Sequence, residues 1–318
     1  MKAKLFLFLL LSSLVVLHGC EEVDPDEPTE LTLADFLNNN KAALQTFTVE
    51  AGVASEIQGA KGCTINFNTN SFSTLAGVPI ASGNVEIQLR EVTTKKDMVL
   101  SQTPTIAYNE LIVSQGVYYL KALQNGFELV INSFQIGKVA TTQTDTSYAF
   151  VGGILTGNDS FEWFSTDNSG PGPIPIGNVE DSILSGSPDS TYYLMTIGST
   201  YFQSQNLNWI NCDYFYNSSV PRVALFFPTT DTISNYFFQS YLVFNDLNAV
   251  LTYNSYGNNT IEFYNIPTGL DATLVTYYIV GGKVFVATAD ITTSDALSTP
   301  ITFTETTEAG LLSILEGL

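Results

Sequence analysis

The amino-acid sequence predicts a mainly β protein: two antiparallel β-sandwich domains with a short C-terminal helix, following a signal peptide and an acidic tether. Three observations carry this expectation. Short runs alternate apolar and polar residues, as in 64–67 and 85–90; this is the pattern of a half-buried strand. Asn125-Gly126 and Gly281-Gly282 separate apolar runs, and such pairs supply the positive φ angles of tight hairpins. A stretch rich in proline, glycine and serine, 166–190, divides the strand-like sequence in two.

The chain opens with a basic Met1-Lys2-Ala3-Lys4, followed by apolar runs over 5–11 and 14–17 and by Leu17-His18-Gly19-Cys20. A short basic region, an apolar centre and a small residue before the cleavage point are the parts of a secretory signal. The apolar part is too short to favour a spanning helix. Residues 1–19 are therefore expected to be a cleaved signal peptide. The segment around Cys20 resembles the lipobox of bacterial lipoproteins, which implies a palmitate-type acyl anchor on Cys20 and a membrane attachment through it.

Residues 20–43 follow as a lipidated acidic tether. Positions 21–30 hold six acids and two prolines and bury too little apolar surface to fold. Acids directly after the lipidated cysteine resemble the surface-export signal of Bacteroidetes lipoproteins, so the expected location is the outer membrane, facing the cell exterior. Leu33, Phe36 and Leu37 share one helical face near the end of this segment.

The first sandwich is expected over 44–165. Its strands are read at 47–49, 64–67, 85–90, 148–154 and 161–164, with a hairpin formed by 117–120 and 127–131. Val85, Ile87 and Leu89 lie on one strand face, the core side, and Glu86 on the other. After the linker at 166–190, the second sandwich is expected over 191–318. Its strands are read at 192–197, 223–227, 241–244 and 250–253, and a hairpin joins 273–280 to 283–289. At the end Leu311, Leu312, Leu315 and Leu318 fall on one helical face. Thr304 is the expected cap, with Glu305 and Glu308 near the positive helix end.

Composition excludes several chemistries. Cleavage after Gly19 removes two of the 11 basic residues, leaving nine against 31 acidic ones, a formal charge of −22. Such a surface repels phosphate backbones, so no nucleic acid is expected as partner. The single histidine, His18, leaves with the signal. Ser-His-Asp and Cys-His catalysis and imidazole-held metals are thereby excluded. No cofactor motif is present. Arg90 and Arg222 are the only arginines, so bidentate capture of phosphate or carboxylate rests on them. Beyond Cys20 the cysteines are Cys63 and Cys212. They are read as buried small hydrophobes, the alternative being one disulfide bridging the domains.

Two segments carry a resemblance. Gly59-Ala60-Lys61-Gly62-Cys63-Thr64-Ile65-Asn66-Phe67, Phe72, Gly77-Val78-Pro79-Ile80, the run from Gly83 to Glu91, and the run from Lys95 to Leu100 together resemble the amino-terminal domain of Bacteroidetes lipoproteins of unknown function. That domain is distantly similar to the sandwich of ankyrins and netrin receptors. Trp209-Ile210-Asn211-Cys212-Asp213 resembles a segment of the carboxy-terminal domain of the same group. Trp209 and Cys212 are expected to be core anchors, and Asn211 and Asp213 backbone-bonding turn residues. Phe263-Tyr264-Asn265-Ile266-Pro267-Thr268-Gly269 resembles a step of immunoglobulin-like and carboxypeptidase-regulatory-like sandwiches. The resemblance implies no reaction.

The leading functional expectation is a non-enzymatic, lipid-anchored surface module that binds a protein or glycan. Tyr214, Tyr216, Tyr236, Tyr253, Tyr256 and Tyr264 stand among asparagines, as recognition surfaces do, or bridge core and solvent. The alternatives are a structural envelope protein and a carboxylate-based hydrolase acting on glycans. A hydrolase would draw on Glu86, Glu91, Asp97, Glu162, Asp213, Asp246 or Glu262. Calcium ligands are offered by Asp167-Asn168-Ser169-Gly170 and Asn245-Asp246-Leu247-Asn248, neither with the spacing of a recognised calcium loop.

Overall fold

The computed structural model describes residues 30–139, 148–154, 161–165, 192–198, 208–216, 219–231, 233, 237–295 and 297–318. Cys20, the signal segment, positions 21–29 of the tether, the stretch 166–190 and Tyr236 lie outside the described residues. The fold is mainly β, and the described residues form several antiparallel sheets and three short helices. No helix among the described residues is long and apolar enough to cross a membrane.

Four sheets form two sandwich-like units. The largest sheet orders β1 (Gln45–Glu50), β5 (Asn84–Val92), β7 (Glu110–Gln124), β13 (Trp209–Phe215), β10 (Tyr148–Ile154) and β11 (Phe161–Ser165). Opposite it lies a sheet of β12 (Tyr192–Gly198), β9 (Ser133–Val139), β3 (Thr64–Phe67) and β2 (Ser55–Gln58). Between them, Val85, Ile87 and Leu89 of β5 meet Ile65, Phe67, Phe134 and Ile136. The period of two puts these β5 residues inward and leaves Glu86, Gln88 and Arg90 on the other face. The hairpin read at Asn125-Gly126 joins β7 to β8 (Phe127–Ile131), with φ of 52° and 81° at the turn.

The second unit stacks β17 (Ser255–Gly257), β18 (Thr260–Pro267), β14 (Arg222–Pro228) and β21 (Leu297–Ser298) against a five-stranded sheet. That sheet contains β16 (Val250–Thr252), β15 (Phe238–Phe244), β19 (Asp271–Val280), β20 (Lys283–Thr292) and β22 (Thr304–Thr306). Leu225, Phe227 and Phe263 interleave with Leu242, Phe244 and Leu274. Gly281 and Gly282, both at positive φ, close the β19–β20 hairpin.

The two units share a third core. Tyr241, Val243, Val275 and Tyr277 point away from the second sandwich, toward Val92, Ile112, Phe150 and Trp163 of the first. Three helices fill this layer: α1 (Leu33–Asn40), α2 (Lys95–Ser101) and α3 (Glu308–Glu316). They contribute Phe36 and Leu37, Met98 to Leu100, and Leu311 and Leu315. Strands β15 and β19 are thus apolar on both faces, which explains the unbroken run Tyr241-Leu242-Val243-Phe244.

Two local features differ from the sequence expectation, and a third is not anticipated by it. Strands β12 and β13 fall within 191–318, yet pair with the first unit: β12 with β9, and β13 with β7 and β10. Composition marks where regular elements pause, but not which strands pair across the pause. The run at Lys95 forms helix α2, whose Thr94 hydroxyl accepts from the Asp97 amide. The terminal helix is capped by Thr307, which accepts from Gly310 N, and not by Thr304. Thr304 belongs to β22 and pairs with Val286.

Candidate functional site

The glycine-rich segment of the first unit is a turn built around a carboxylate. Glu91, at the end of β5, is 1% exposed. Its carboxylate accepts from Lys61 N at 2.7 Å, Cys63 N at 3.0 Å and Gln45 Nε2 at 2.9 Å. Gln45 Oε1 in turn accepts from Ala60 N at 2.8 Å. The β2–β3 turn therefore delivers its amides to Glu91, with Gly62 at φ 94°. Lys61 Nζ also pairs with Asp97 at 2.5 Å. Cys63 is buried in the core beneath this turn.

The Trp209–Asp213 segment is a central strand, β13, and not a turn. Asn211 and Asp213 are fully buried at a bulge, where Gln115 and Gly116 of β7 oppose the single residue between them. Asp213 Oδ1 accepts from Gln115 N at 3.3 Å, and Oδ2 from the Asn211 amide. Ser114 Oγ accepts from Gly116 N at 3.1 Å and reaches Asn211 Oδ1 at 3.3 Å. Gly116 adopts φ 149°, so the bulge needs glycine, and the polar side chains satisfy the amides that the ladder leaves unpaired. The Cys212 side chain lies outside the described residues.

Trp209 is half-buried. Its ring meets Tyr119 at 5.3 Å and Phe161 at 6.1 Å, both edge-on. It stands in a cross-strand row with Tyr119 and Arg90, since Tyr119 is in register with both. This row faces the helical layer. The C-terminal end of α1 and the end of α2 form the opposing wall, enclosing a cleft of about 290 Å³. Arg90, Gln88, Tyr119 and Trp209 line one side, and Leu37, Asn38, Lys41, Ser101 and Gln102 the other. On the far side of α1 a wider hollow, about 580 Å³, runs past Leu33, Ile279 and the 91%-exposed Phe237.

The electrostatics of the smaller cleft are opposite to those of the chain. Arg90 donates to Ala42 O, and Lys41 Nζ to Asn38 Oδ1 at 2.7 Å. Neither is in an ion pair among the described residues, whereas Lys61, Lys96, Lys121, Arg222 and Lys283 all are. Burial lowers the pKa of Lys41 below the usual lysine value, and the Arg90 guanidinium lowers it further. Burial also lowers that of Arg90, and Tyr119 opposes the shift. No carboxylate is among the residues lining the cleft.

The carboxylates named from the sequence are spread across the molecule. Glu91 and Asp213 are buried under backbone amides, and Asp97 is held by Lys61. Glu86 accepts from Gln88 on the surface. Glu262 accepts from Ser255 at 2.5 Å and from Tyr264; these hydrogen bonds hold its pKa below the usual carboxylate value. The Glu162 side chain and the Asp167–Gly170 loop lie outside the described residues. The Asn245–Asn248 loop is a joint between units: Lys95 Nζ donates to Phe244 O and Asn245 O at 3.0 and 3.1 Å. Asn248 Nδ2 donates to Ser114 O at 2.8 Å. Among the described residues no three His, Cys, Asp or Glu side chains group as a metal site.

Of the tyrosines, Tyr253 stacks on Phe238 at 4.9 Å and Tyr256 meets the same ring edge-on. Both cover the second core, Tyr214 and Tyr216 are half-buried, and Tyr264 is exposed. The sequence reading missed the cleft. Arg90 was legible as facing away from the core, but the approach of Lys41 depends on how α1 docks. No protein-family model, curated protein or solved structure matches the chain.

Proposed function

We propose that this protein is a lipid-anchored envelope module that binds a ligand in the cleft between α1 and the Arg90–Tyr119–Trp209 row. The observation that carries the reading is a concave site between α1 and a strand row, lined by aromatic surface and by two cations in no ion pair among the described residues. Such sites combine apolar walls with a few placed polar groups. The acyl anchor expected on Cys20 and the acidic tether would hold the module at the outer membrane, facing outward.

Two measurements test this. Intact cells treated with an external protease should lose the protein while a periplasmic marker survives; protection until lysis would refute the surface location. A screen of soluble glycans and envelope proteins against the purified chain should then yield a ligand whose binding Trp209→Ala abolishes. Ligand binding indifferent to that substitution would place recognition elsewhere.

A further inference from the structure

We infer that the ligand of this cleft is an acidic carbohydrate, a hexuronate unit presenting its carboxylate to Arg90 and Lys41. The inference rests on the cleft being the recognition site and goes on to name its chemistry.

Charge comes first. In a chain of net charge −20, most described cations are neutralised by carboxylates. Arg90 and Lys41 instead stand together, partly desolvated and in no ion pair among the described residues. Arg222, the other arginine, is committed to Glu110 and Asn265 O. Two like charges held side by side in a concavity are destabilising until an anion joins them, and a guanidinium fork matches a carboxylate in two parallel hydrogen bonds. One Arg90 nitrogen is used by Ala42 O, leaving the rest of the fork for the ligand.

Shape and the remaining lining narrow the class. A volume of about 290 Å³ is at the small end of ligand sites, which span roughly 300–1,000 Å³. It admits one ring-sized unit. Trp209 and Tyr119 offer flat apolar surface with a polar tip, suited to the C–H face of a sugar ring. Gln88, Asn38 and Gln102 add amides that both donate and accept, as hydroxyls require. Beyond the Gln88–Glu86 and Lys41–Asn38 hydrogen bonds, a purely aliphatic acid would leave the remaining capacity of these amides unused, and a neutral sugar would leave the two cations without an anion.

The test uses the purified full chain and its tryptophan fluorescence. The chain has two tryptophans. Trp163 is 3% exposed and bonded to Pro104 O, so a response to ligand reports Trp209. Unesterified oligogalacturonate and oligoglucuronate are titrated beside their methyl esters and beside an oligoglutamate peptide. The expected result is saturable binding of at least one free uronate. Its affinity should fall about tenfold or more on esterification and on Arg90→Gln, less on Lys41→Gln, and fall with added salt. Thermal unfolding confirms that each variant is folded, and Lys41→Gln keeps the test valid where Arg90→Gln does not fold. Esters that bind as tightly as free acids would overturn the charge assignment, and peptide binding of equal strength and variant dependence would overturn the sugar assignment. Binding of neither uronate would also overturn the inference, leaving the cleft open to other ligands. Uronate binding that survives both Arg90→Gln and Trp209→Ala, the latter followed by titration calorimetry because its fluorescent reporter is gone, would refute the cleft reading itself.

Discussion

The carboxylate of Glu91 stands where a side chain on Gly59 would have to go: a Cβ built there lies 2.5 Å from its carboxyl carbon. The two residues are 32 positions apart, yet one is glycine because the other is buried. The carboxylate cannot swing aside freely, since three donors hold both of its oxygens. Gly59→Ala is therefore expected to cost about 1–3 kcal/mol, the scale of leaving buried hydrogen-bonding groups unpaired. Glu91→Ala should cost at least as much, and Glu91→Gln should not rescue it, because an amide N–H would face another donor. The double variant Gly59→Ala with Glu91→Ala should be less destabilised than the sum, as the space vacated by one accepts the other. Urea denaturation of the four proteins measures the coupling; additive losses would show that the clash is relieved elsewhere.

The bulge at Asp213 makes a second case. Asp213→Ala removes the side-chain acceptor that Gln115 N and the Asn211 amide group share, at a position where Asn211 and Asp213 are fully buried. A loss of about 2–4 kcal/mol is expected, the range for breaking a buried hydrogen-bond network. Asp213→Asn keeps one acceptor and should lose less. The readout is the urea midpoint, and an Asp213→Ala protein as stable as the parent would contradict the assigned role.

How much of this was readable beforehand varies from residue to residue. Val85, Ile87 and Leu89 declare their face by alternation, because a strand has a fixed period. The hairpins at Asn125-Gly126 and Gly281-Gly282 declare themselves because positive φ demands those residues. The pairing of β13 with β7 is not readable: Trp209 and Tyr119 are 90 positions apart, and local pattern carries no information about such partners. The cleft depends on that pairing and on the docking of α1, so its parts were visible singly and its assembly was not.

Helix α3 shows how a boundary shifts by three residues. Thr304 and Thr307 both precede the apolar stripe, but only Thr307 has its hydroxyl over a free amide, that of Gly310, at 3.0 Å. Thr307→Ala should lower stability by about 1 kcal/mol, the usual value of an N-cap. Thr304 spends its hydroxyl on Val286 O at 3.3 Å, and Thr304→Ala should cost clearly less. Thermal melts of the two variants separate these assignments, and the reverse order would move the cap back to Thr304.

The shared core makes the fold sensitive to alkali. Tyr241 and Tyr277 stack at 6.5 Å between the sandwiches. Burial raises both pKa values well above the usual tyrosine value, and each phenol opposes ionisation near its neighbours, Tyr253 for Tyr241 and Tyr241 for Tyr277. A raised folded-state pKa means that the unfolded chain releases these protons first, at about pH 10. Their contribution is therefore complete below pH 10 and is lost as pH climbs toward the folded values, by roughly 1.4 kcal/mol per pH unit for each tyrosine. Tyr241 donates to Gln239 Oε1 at 2.8 Å, whereas the Tyr277 hydroxyl is buried with no partner among the described residues. Tyr277→Phe removes that unpaired group, and at neutral pH the variant should be as stable as the parent or more so, by up to about 1–2 kcal/mol. Above pH 10 it should show about half of the alkaline slope assigned to this pair. Urea unfolding at pH 7, 10 and 11 reads both effects. A destabilised Tyr277→Phe at neutral pH would mean that the hydroxyl has a partner, and an unchanged slope would assign the alkaline transition to other groups.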